Sequence, residues 1–409
     1  MPLPGGLQAL GQRDYRVYFI GNLVSQIGNW MQTVTQSWLV LQLTDSPFLL
    51  GLIATLQFGP ILLLAVFTGV LADRLPRRNV LLTTQAVQGC LALTLGLLVW
   101  TGRVAYWHVA AMAVLWGVMN ALDQPARQSF VMELAGRERV AGAVGLNSAS
   151  FNAARIVGPA VAGVLIARLG LWPGFLLNAL AFTFAIGTLL SVPPRPPRPR
   201  AAATTFLHDM AEGVAYAAGS RAIRLVLGFQ VVASFCIFNF TVYVPLLARN
   251  VLGLGSEGFG FLMTALGIGA VTAGLAFGGL AGRGAPPGGI AVALGSACAL
   301  LLGLAAAREF WVAALLLGVT GFSAILVTAG CNSYVQLTAP DALRGRLMSV
   351  YTLVSGGVVP LGAFWVGSVS EAWGVSTAFA VNGTLGLLAL AALRPWVARA
   401  GPPYPTGVS

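Results

Sequence analysis

The chain has 409 residues, 57% of them hydrophobic and 9% charged, with a formal net charge of +11. A soluble domain carries about 25% charged residues, so a soluble enzyme or binding module is excluded and a polytopic helical membrane protein is indicated. All 23 basic residues are arginine, and their distribution along the chain, described below, accounts for the positive balance without nucleic acid as a partner.

Apolar stretches of 18 or more residues between polar breaks read as membrane helices. Twelve are expected, at about 16–43, 47–72, 80–102, 104–122, 142–168, 172–192, 222–248, 257–281, 288–306, 309–330, 345–370 and 375–396. An even number puts both termini on one side. The termini and the even-to-odd loops hold 18 arginines against 4 in the opposite loops, with Arg155 alone inside a span. By the positive-inside rule both termini face the cytoplasm. No cleavable signal pattern is expected at the start, because Arg13 and Arg16 precede a first span too long for a signal core.

The first span carries Asn22, Ser25, Gln26, Asn29, Gln32, Thr33 and Gln36, a polar series at helical spacing. Such a stripe on an otherwise apolar helix suits the wall of an aqueous cavity. The other reading is amide and hydroxyl bonding between helices. After the second span comes G-V-L-A-D-R-L-P-R-R, Gly69 to Arg78. All twelve carboxylates are expected at membrane faces, in loops or in the linker. Asp123, at the inner end of the fourth span, is the nearest candidate for a buried proton carrier, or for an ion pair with Arg77, Arg78 or Arg127.

The fifth span is unusual in carrying Arg155 near its middle. A charge at the bilayer centre costs about 2.5–3.5 kcal/mol, so it faces protein or water. Ser148, Asn152, Arg155 and Pro159 share one helical stripe. Gly158, Pro159 and Gly163 mark a helix that packs closely and leaves backbone groups for a neighbour to satisfy. Arg155 either attracts an anionic or electron-rich group of a substrate, or bonds carbonyls freed around Pro159.

Residues 193–220 form the one long linker, opening with the stiff, basic P-P-R-P-P-R-P-R. Phe206, Met210 and Val214 then recur every four residues, suggesting a short amphipathic helix on the membrane surface. The linker divides residues 1–192 from 221–409, six spans from six. The two parts resemble each other: Gly69–Arg74 matches Gly278–Arg283 209 positions later, Ser129–Val131 matches Ser333–Val335 204 later, and Pro159 and Pro360 are 201 apart. This is a same-orientation duplication, one of the plans of secondary transporters.

At Gly69–Arg78 the chain resembles the major facilitator superfamily, whose loop between its second and third helices reads G-x-L-A-D-R-x-G-R-R; only Pro76 departs. The resemblance covers about residues 12–398. It implies an all-α integral membrane fold of twelve transmembrane helices in two six-helix pseudo-repeat bundles. It also implies a cytoplasmic gate at Gly69, Asp73, Arg74, Arg77, Arg78 and Asp123. The segment Ala154–Gly163 is similar to the fifth-helix motif of the superfamily's exporters, with alanine for two glycines. With D-Q-P-A-R-Q-S at Asp123–Ser129 and D-A-L-R-G-R-L-M-S at Asp341–Ser349, it is most similar to the branch containing the enterobactin exporter and macrolide efflux proteins. The fourth span, W-G-V-M-N-A-L-D, lacks the G-R-x-x-Q-G motif of many proton-coupled relatives.

The expected function is therefore secondary transport, exporting a small amphipathic compound by alternating access, with proton antiport carried by the resemblance alone. The substrate cavity is expected at Arg155, Asn152, Ser148, Asn22, Gln26, Asn29, Gln32 and Thr33, and helix packing at Gly158, Pro159 and Gly163. A facilitator or uptake carrier without proton coupling is the alternative, and a non-transporting sensor a further one. An enzyme is not expected: His108 and His208 fall in different compartments and no metal-ligand spacing or cofactor motif occurs. Cys90, Cys236, Cys298 and Cys331 read as small buried hydrophobes. The expected setting is a bacterial cytoplasmic membrane, with the chain a monomer.

Overall fold

A computed structural model describes residues 5–136, 139–194, 206–279, 285–341 and 343–397; helices joined by short turns make up these residues, with no strand among them. After a 3-10 turn, Gly5–Gly11, come α1 (Arg13–Thr44), α2 (Pro47–Arg74), α3 (Arg77–Trp100), α4 (Tyr106–Ala135), α5 (Val140–Leu169) and α6 (Trp172–Leu190). The linker contributes α7 (Phe206–Gly219). Then follow α8 (Arg221–Cys236), α9 (Phe240–Leu246), α10 (Ser256–Gly279), α11 (Pro287–Ala306), α12 (Phe310–Thr338), α13 (Arg344–Gly357), α14 (Val359–Trp373) and α15 (Val375–Val397).

Ten segments are long and apolar enough to cross a membrane, with α8–α9 and α13–α14 each counting as one. The other two spans of the twelve are α1 and α4, at 32 and 30 residues long enough to cross but interrupted by polar side chains. Two spans expected as continuous are broken. The seventh stops at Cys236 and restarts at Phe240, then passes through a π-helical turn at Leu247–Val251 just after Pro245. The eleventh breaks at Val358, two residues before Pro360. Proline removes a backbone donor and restricts the residue before it, which explains both sites.

Two further expectations change, for the fourth span and for Cys90, and the packing of α7 is defined. The fourth span runs on to Ala135 rather than about 122, so Asp123 and Arg127 lie inside a helix, not at its end or in a loop. On α7 the buried positions include Gly213 and Ala217, while Val214 is half exposed; a Cβ on Gly213 would meet the Arg346 carbonyl oxygen at 2.9 Å, so this helix packs against α13. Cys236, Cys298 and Cys331 are buried but Cys90 is exposed.

The chain divides into two units. Unit 1 comprises Met1–Asp45, Gly59–Ala202 and Gly255–Thr264. There α1 packs along α5 and α6, and α3 along α4 and α6. One core cluster joins Tyr15, Tyr18, Leu81, Phe130, Leu134 and Leu189. Unit 2 comprises Ser46–Phe58, Ala203–Leu254 and Ala265–Ser409. Its α11 packs on α15 and α12, and α8 on α12 and α15.

The start of α10 crosses α5 in unit 1 where neither helix has room for a side chain. A Cβ on Gly260 would meet the Pro159 carbonyl oxygen at 2.7 Å, and one on Gly163 would meet the Ser256 carbonyl oxygen at 3.0 Å. Thr264 Oγ1 donates to the Ile156 carbonyl at 3.5 Å. In unit 2 the start of α2 crosses α14 in the same way. A Cβ on Gly51 would meet the Ala363 carbonyl oxygen at 2.6 Å, one on Gly367 the Pro47 carbonyl oxygen at 2.9 Å, and Thr55 Oγ1 donates to the Pro360 carbonyl at 3.0 Å. Every partner on α10 lies 209 positions after its counterpart on α2, and every partner on α14 lies 204 after its counterpart on α5. The duplication read from the sequence is thus repeated atom by atom in two helix crossings. In this frame Pro360 corresponds to Ile156, and Pro159 to Ala363, so the two prolines are offset by about one turn.

Candidate functional site

The polar stripe of α1 runs through unit 1 and meets α4, α5 and α6. At one end a charged cluster is built on α4. Arg127 Nε and Nη2 donate to Asp123 Oδ2 at 2.7 and 2.6 Å, the i,i+4 spacing placing both side chains on one face. Asp123 Oδ1 accepts from Thr84 Oγ1 at 2.8 Å, so both carboxylate oxygens are satisfied although the residue is 3% exposed. Arg127 Nη1 also donates to Asn22 Oδ1, and Asn22 Nδ2 donates to Asn147 Oδ1 at 3.0 Å. The pair is therefore held by α1, α3 and α5 together. Arg77 and Arg78 bond elsewhere, Arg77 to Glu133 at 2.7 Å and Arg78 to the Leu189 and Leu190 carbonyls at 2.9 and 3.1 Å. Of the three arginines expected as partners for Asp123, it pairs with Arg127.

One turn along α1, Gln26 Nε2 donates to Ser150 Oγ at 3.2 Å. Further on, Asn178 of α6 donates to Gln32 Oε1 at 2.7 Å and to Asn29 Oδ1 at 3.5 Å. Thr33 Oγ1 donates to its own helix at the Asn29 carbonyl, 2.9 Å. The stripe divides: Asn22, Ser25, Gln32 and Gln36 are buried, while Gln26, Asn29 and Thr33 keep part of their surface. On α5, Ser148 is exposed and Asn152 partly so, its amide turned onto the Ser148 carbonyl at 2.9 Å.

Arg155 stands apart. It is 7% exposed, its Nε has no hydrogen-bond partner, and it makes no ion pair with any described residue. Its guanidinium carbon lies 5.6 Å from the centre of the Trp30 ring, a cation–π contact. Trp30 in turn meets Phe151 edge to face at 5.8 Å. Gly158 allows this approach: a Cβ there would meet Trp30 Cβ at 2.6 Å and the Met31 nitrogen at 2.9 Å. Gly69, Asp73 and Arg74 belong to α2, but their side chains lie outside the described residues.

Several residues of this site escaped the sequence reading. Asn178 was legible as a single amide in an apolar helix, and Thr84, Gln85 and Gln88 as a polar run on α3, all buried. Trp30 carried no signal, since tryptophan is expected in any membrane helix. Unit 2 has its own polar cluster. Tyr351 donates to the Thr328 carbonyl at 2.9 Å and to Gln230 Oε1 at 3.3 Å, Gln230 donates to Ser234 Oγ at 3.1 Å, and Ser234 donates to the Ser355 carbonyl at 3.0 Å. Nearby in sequence, Tyr243 stacks on Phe379 and bonds Asn382, which accepts from Trp365 Nε1 at 3.0 Å. An opening of about 590 Å³ in unit 2, lined by Glu212, Tyr216, Ser220 and Leu343 among others, contains none of these polar residues. No group of three metal-ligating side chains occurs among the described residues.

Intramembrane polar networks of this kind, on long helices duplicated in one orientation, suit a transporter rather than an enzyme. The sequence matches the model of the transmembrane secretion effector family of major facilitator proteins over residues 5–399. The chain belongs to that family. Among curated proteins it is 23% identical over 384 residues to the staphyloferrin A transporter of Staphylococcus aureus (strain NCTC 8325 / PS 47), covering 90% of this chain and 92% of that one. It is 25% identical over 344 residues to the enterobactin exporter EntS of Shigella boydii serotype 4 (strain Sb227), covering 83% and 80%. Among solved structures, the nucleoside transporter NupG superposes with a TM-score of 0.72 at 14% identity over 94% of this chain and 99% of that one. A D-xylose–proton symporter superposes at 0.72 and 17% identity over 93% and 96%. The protein is a multi-pass major facilitator transporter for a small molecule, related to siderophore exporters and transporters, and not an enzyme.

Proposed function

We propose that this transporter exports a small amphipathic compound from a bacterial cytoplasm by proton antiport and alternating access. Its termini and linker lie on the cytoplasmic side, and it acts as a monomer. The observation that carries the coupling is the Asp123–Arg127 pair, a carboxylate buried within a membrane helix whose one ion-pair partner among the described residues is an arginine four residues on. Loss of the Asp123 charge would break its ion pair with Arg127, the residue that also donates to Asn22 on α1. The pair thus adjoins a bond that joins α4 to α1. The arginine bias of 18 to 4 supports the orientation. The name of the enterobactin exporter supports outward transport. The substrate cavity is assigned to Ser148, Asn152 and Arg155 on α5 with Asn22, Gln26, Asn29, Gln32 and Thr33 on α1. The cytoplasmic gate is assigned to Gly69, Asp73, Arg74, Arg77, Arg78 and Asp123.

Counterflow in inverted membrane vesicles over a compound panel tests this reading. Accumulation in the vesicle lumen that rises with an inward-acidic gradient, together with proton efflux when substrate is added, is the expected result. Equilibration of substrate that ignores the gradient would make the protein a facilitator. Movement in the opposite sense would make it an uptake carrier.

A further inference from the structure

We infer that Arg155 is the docking cation for a carboxylate on the transported compound, with Trp30 and Phe151 taking the apolar part of the same molecule. The inference rests on the transport reading above and adds the chemical class of the substrate. Four observations lead to it.

Arg155 is a buried cation whose Nε has no hydrogen-bond partner and which makes no ion pair among the described residues. An uncompensated charge out of water is expensive, and a protein normally supplies a counter-charge. Here no carboxylate of the described residues lies within ion-pair distance, so the site is complete only when an anion enters it.

The fold does not need an arginine at this place. The crossing of α14 with α2 repeats that of α5 with α10, carbonyl for carbonyl and threonine for threonine, and the position equivalent to Arg155 there is Val359. A role in satisfying backbone freed by Pro159 would predict a bond from Arg155 to a carbonyl, and none is made among the described residues.

Arg155 sits at a boundary along α5. Ser148 is exposed and Asn152 partly so, and then one and two turns beyond Arg155 the helix closes through Pro159 and Gly163 against Gly260. A polar face therefore ends blindly at a cation.

The chemistry selects carboxylates among anions. The guanidinium carbon lies over the Trp30 ring, and a guanidinium's fork of N–H donors matches a planar anion with two oxygens. Phe151 is 46% exposed and lies against Trp30, so an aromatic surface adjoins the charge. An acid with an apolar arm fits both halves of the site.

The test is equilibrium binding to the purified protein in detergent, in chloride-free buffer at neutral pH and without any gradient. Benzoate, 2-naphthoate and decanoate are each compared with the corresponding neutral amide by titration calorimetry. A charge-assisted pair predicts acid over amide by about ten- to a hundredfold. Arg155→Gln should remove that preference while keeping the amide affinity and an unfolding temperature at or above wild type. Arg155→Lys should keep part of the preference, because an ammonium restores charge without the fork. Equal affinity for acid and amide in the wild type, no binding by any of the three acids, or a preference that survives Arg155→Gln would overturn the inference. So would an Arg155→Gln protein that fails to fold or loses acid and amide affinity alike, since that assigns the residue to helix packing. Chloride that displaces the amides as well as the acids would also count against it. Because binding needs no gradient, failure of proton coupling leaves this result untouched; proton-driven export confined to neutral or cationic compounds sinks the inference alone.

Discussion

Two arginines of unit 1 illustrate opposite solutions to the same cost. Arg127 is compensated in full by Asp123 and Asn22, whereas Arg155 has an aromatic face and no carboxylate among the described residues. Removing one member of a buried pair strands the other, typically at about 3–5 kcal/mol, while removing both together is often neutral. Asp123→Asn alone should therefore lower the unfolding temperature in detergent, and Arg127→Gln alone should do so as well. The double variant Asp123→Asn with Arg127→Gln should recover most of that loss, because two neutral amides can bond each other and Thr84. If Asp123 carries the transported proton, the recovered double variant will exchange substrate at equilibrium but no longer concentrate it against a pH gradient. Gradient-driven accumulation by the double variant would clear Asp123 of that role.

At the scale of helices, the crossings of α10 with α5 and of α2 with α14 are built on glycine because backbone meets backbone. A methyl group on Gly260 would lie 2.7 Å from a carbonyl oxygen and 2.8 Å from Gly163 Cα, neither of which can swing aside as a side chain can. Gly260→Ala should destabilise by about 1–3 kcal/mol, the usual cost of overpacking, and the crossing partner Gly163→Ala similarly. Gly274, on the same helix, has open space where its Cβ would be. Gly274→Ala should leave the unfolding temperature unchanged or raise it, since alanine is the better helix former by about 0.5–1 kcal/mol. Thermal unfolding of the three variants side by side separates a packing role from a generic helix effect. Equal responses at 260 and 274 would mean that the close approach does not constrain these helices.

For the molecule as a whole, the arginine distribution makes a prediction of sidedness. In a cysteine-free background, Arg198→Cys in the linker and Arg103→Cys between the third and fourth spans should react oppositely with an impermeant thiol reagent applied to intact cells. Position 103 should label and 198 should not until the membrane is opened. Labelling of 198 from outside would reverse the orientation, and with it the placing of the Gly69–Arg78 segment and of both termini on the cytoplasmic side.

Membrane class, helix number, duplication and family were all legible in the sequence, because each follows from local composition or from repetition along the chain. A run of apolar residues long enough to cross a bilayer needs no partner to be recognised. Glycine at 51, 163, 260 and 367 was likewise visible, but nothing local says which glycine meets which; the shifts of 209 and 204 acquire that meaning only once α2 lies on α14 and α10 on α5. The same limit applied to the charges. Asp123 read as the end of a span because hydropathy falls there, and its burial depends on Thr84, Asn22 and Arg127 arriving from α3, α1 and α4 itself. The stripe on α1 was correctly periodic, yet periodicity gives only a direction. Tertiary packing decided that Asn22 and Gln32 bond neighbouring helices while Gln26, Asn29 and Thr33 keep part of their surface. Arg155 was singled out by its cost in a bilayer, a property of one residue. That no described carboxylate comes to meet it is a property of the surrounding helices, and only their arrangement could decide it.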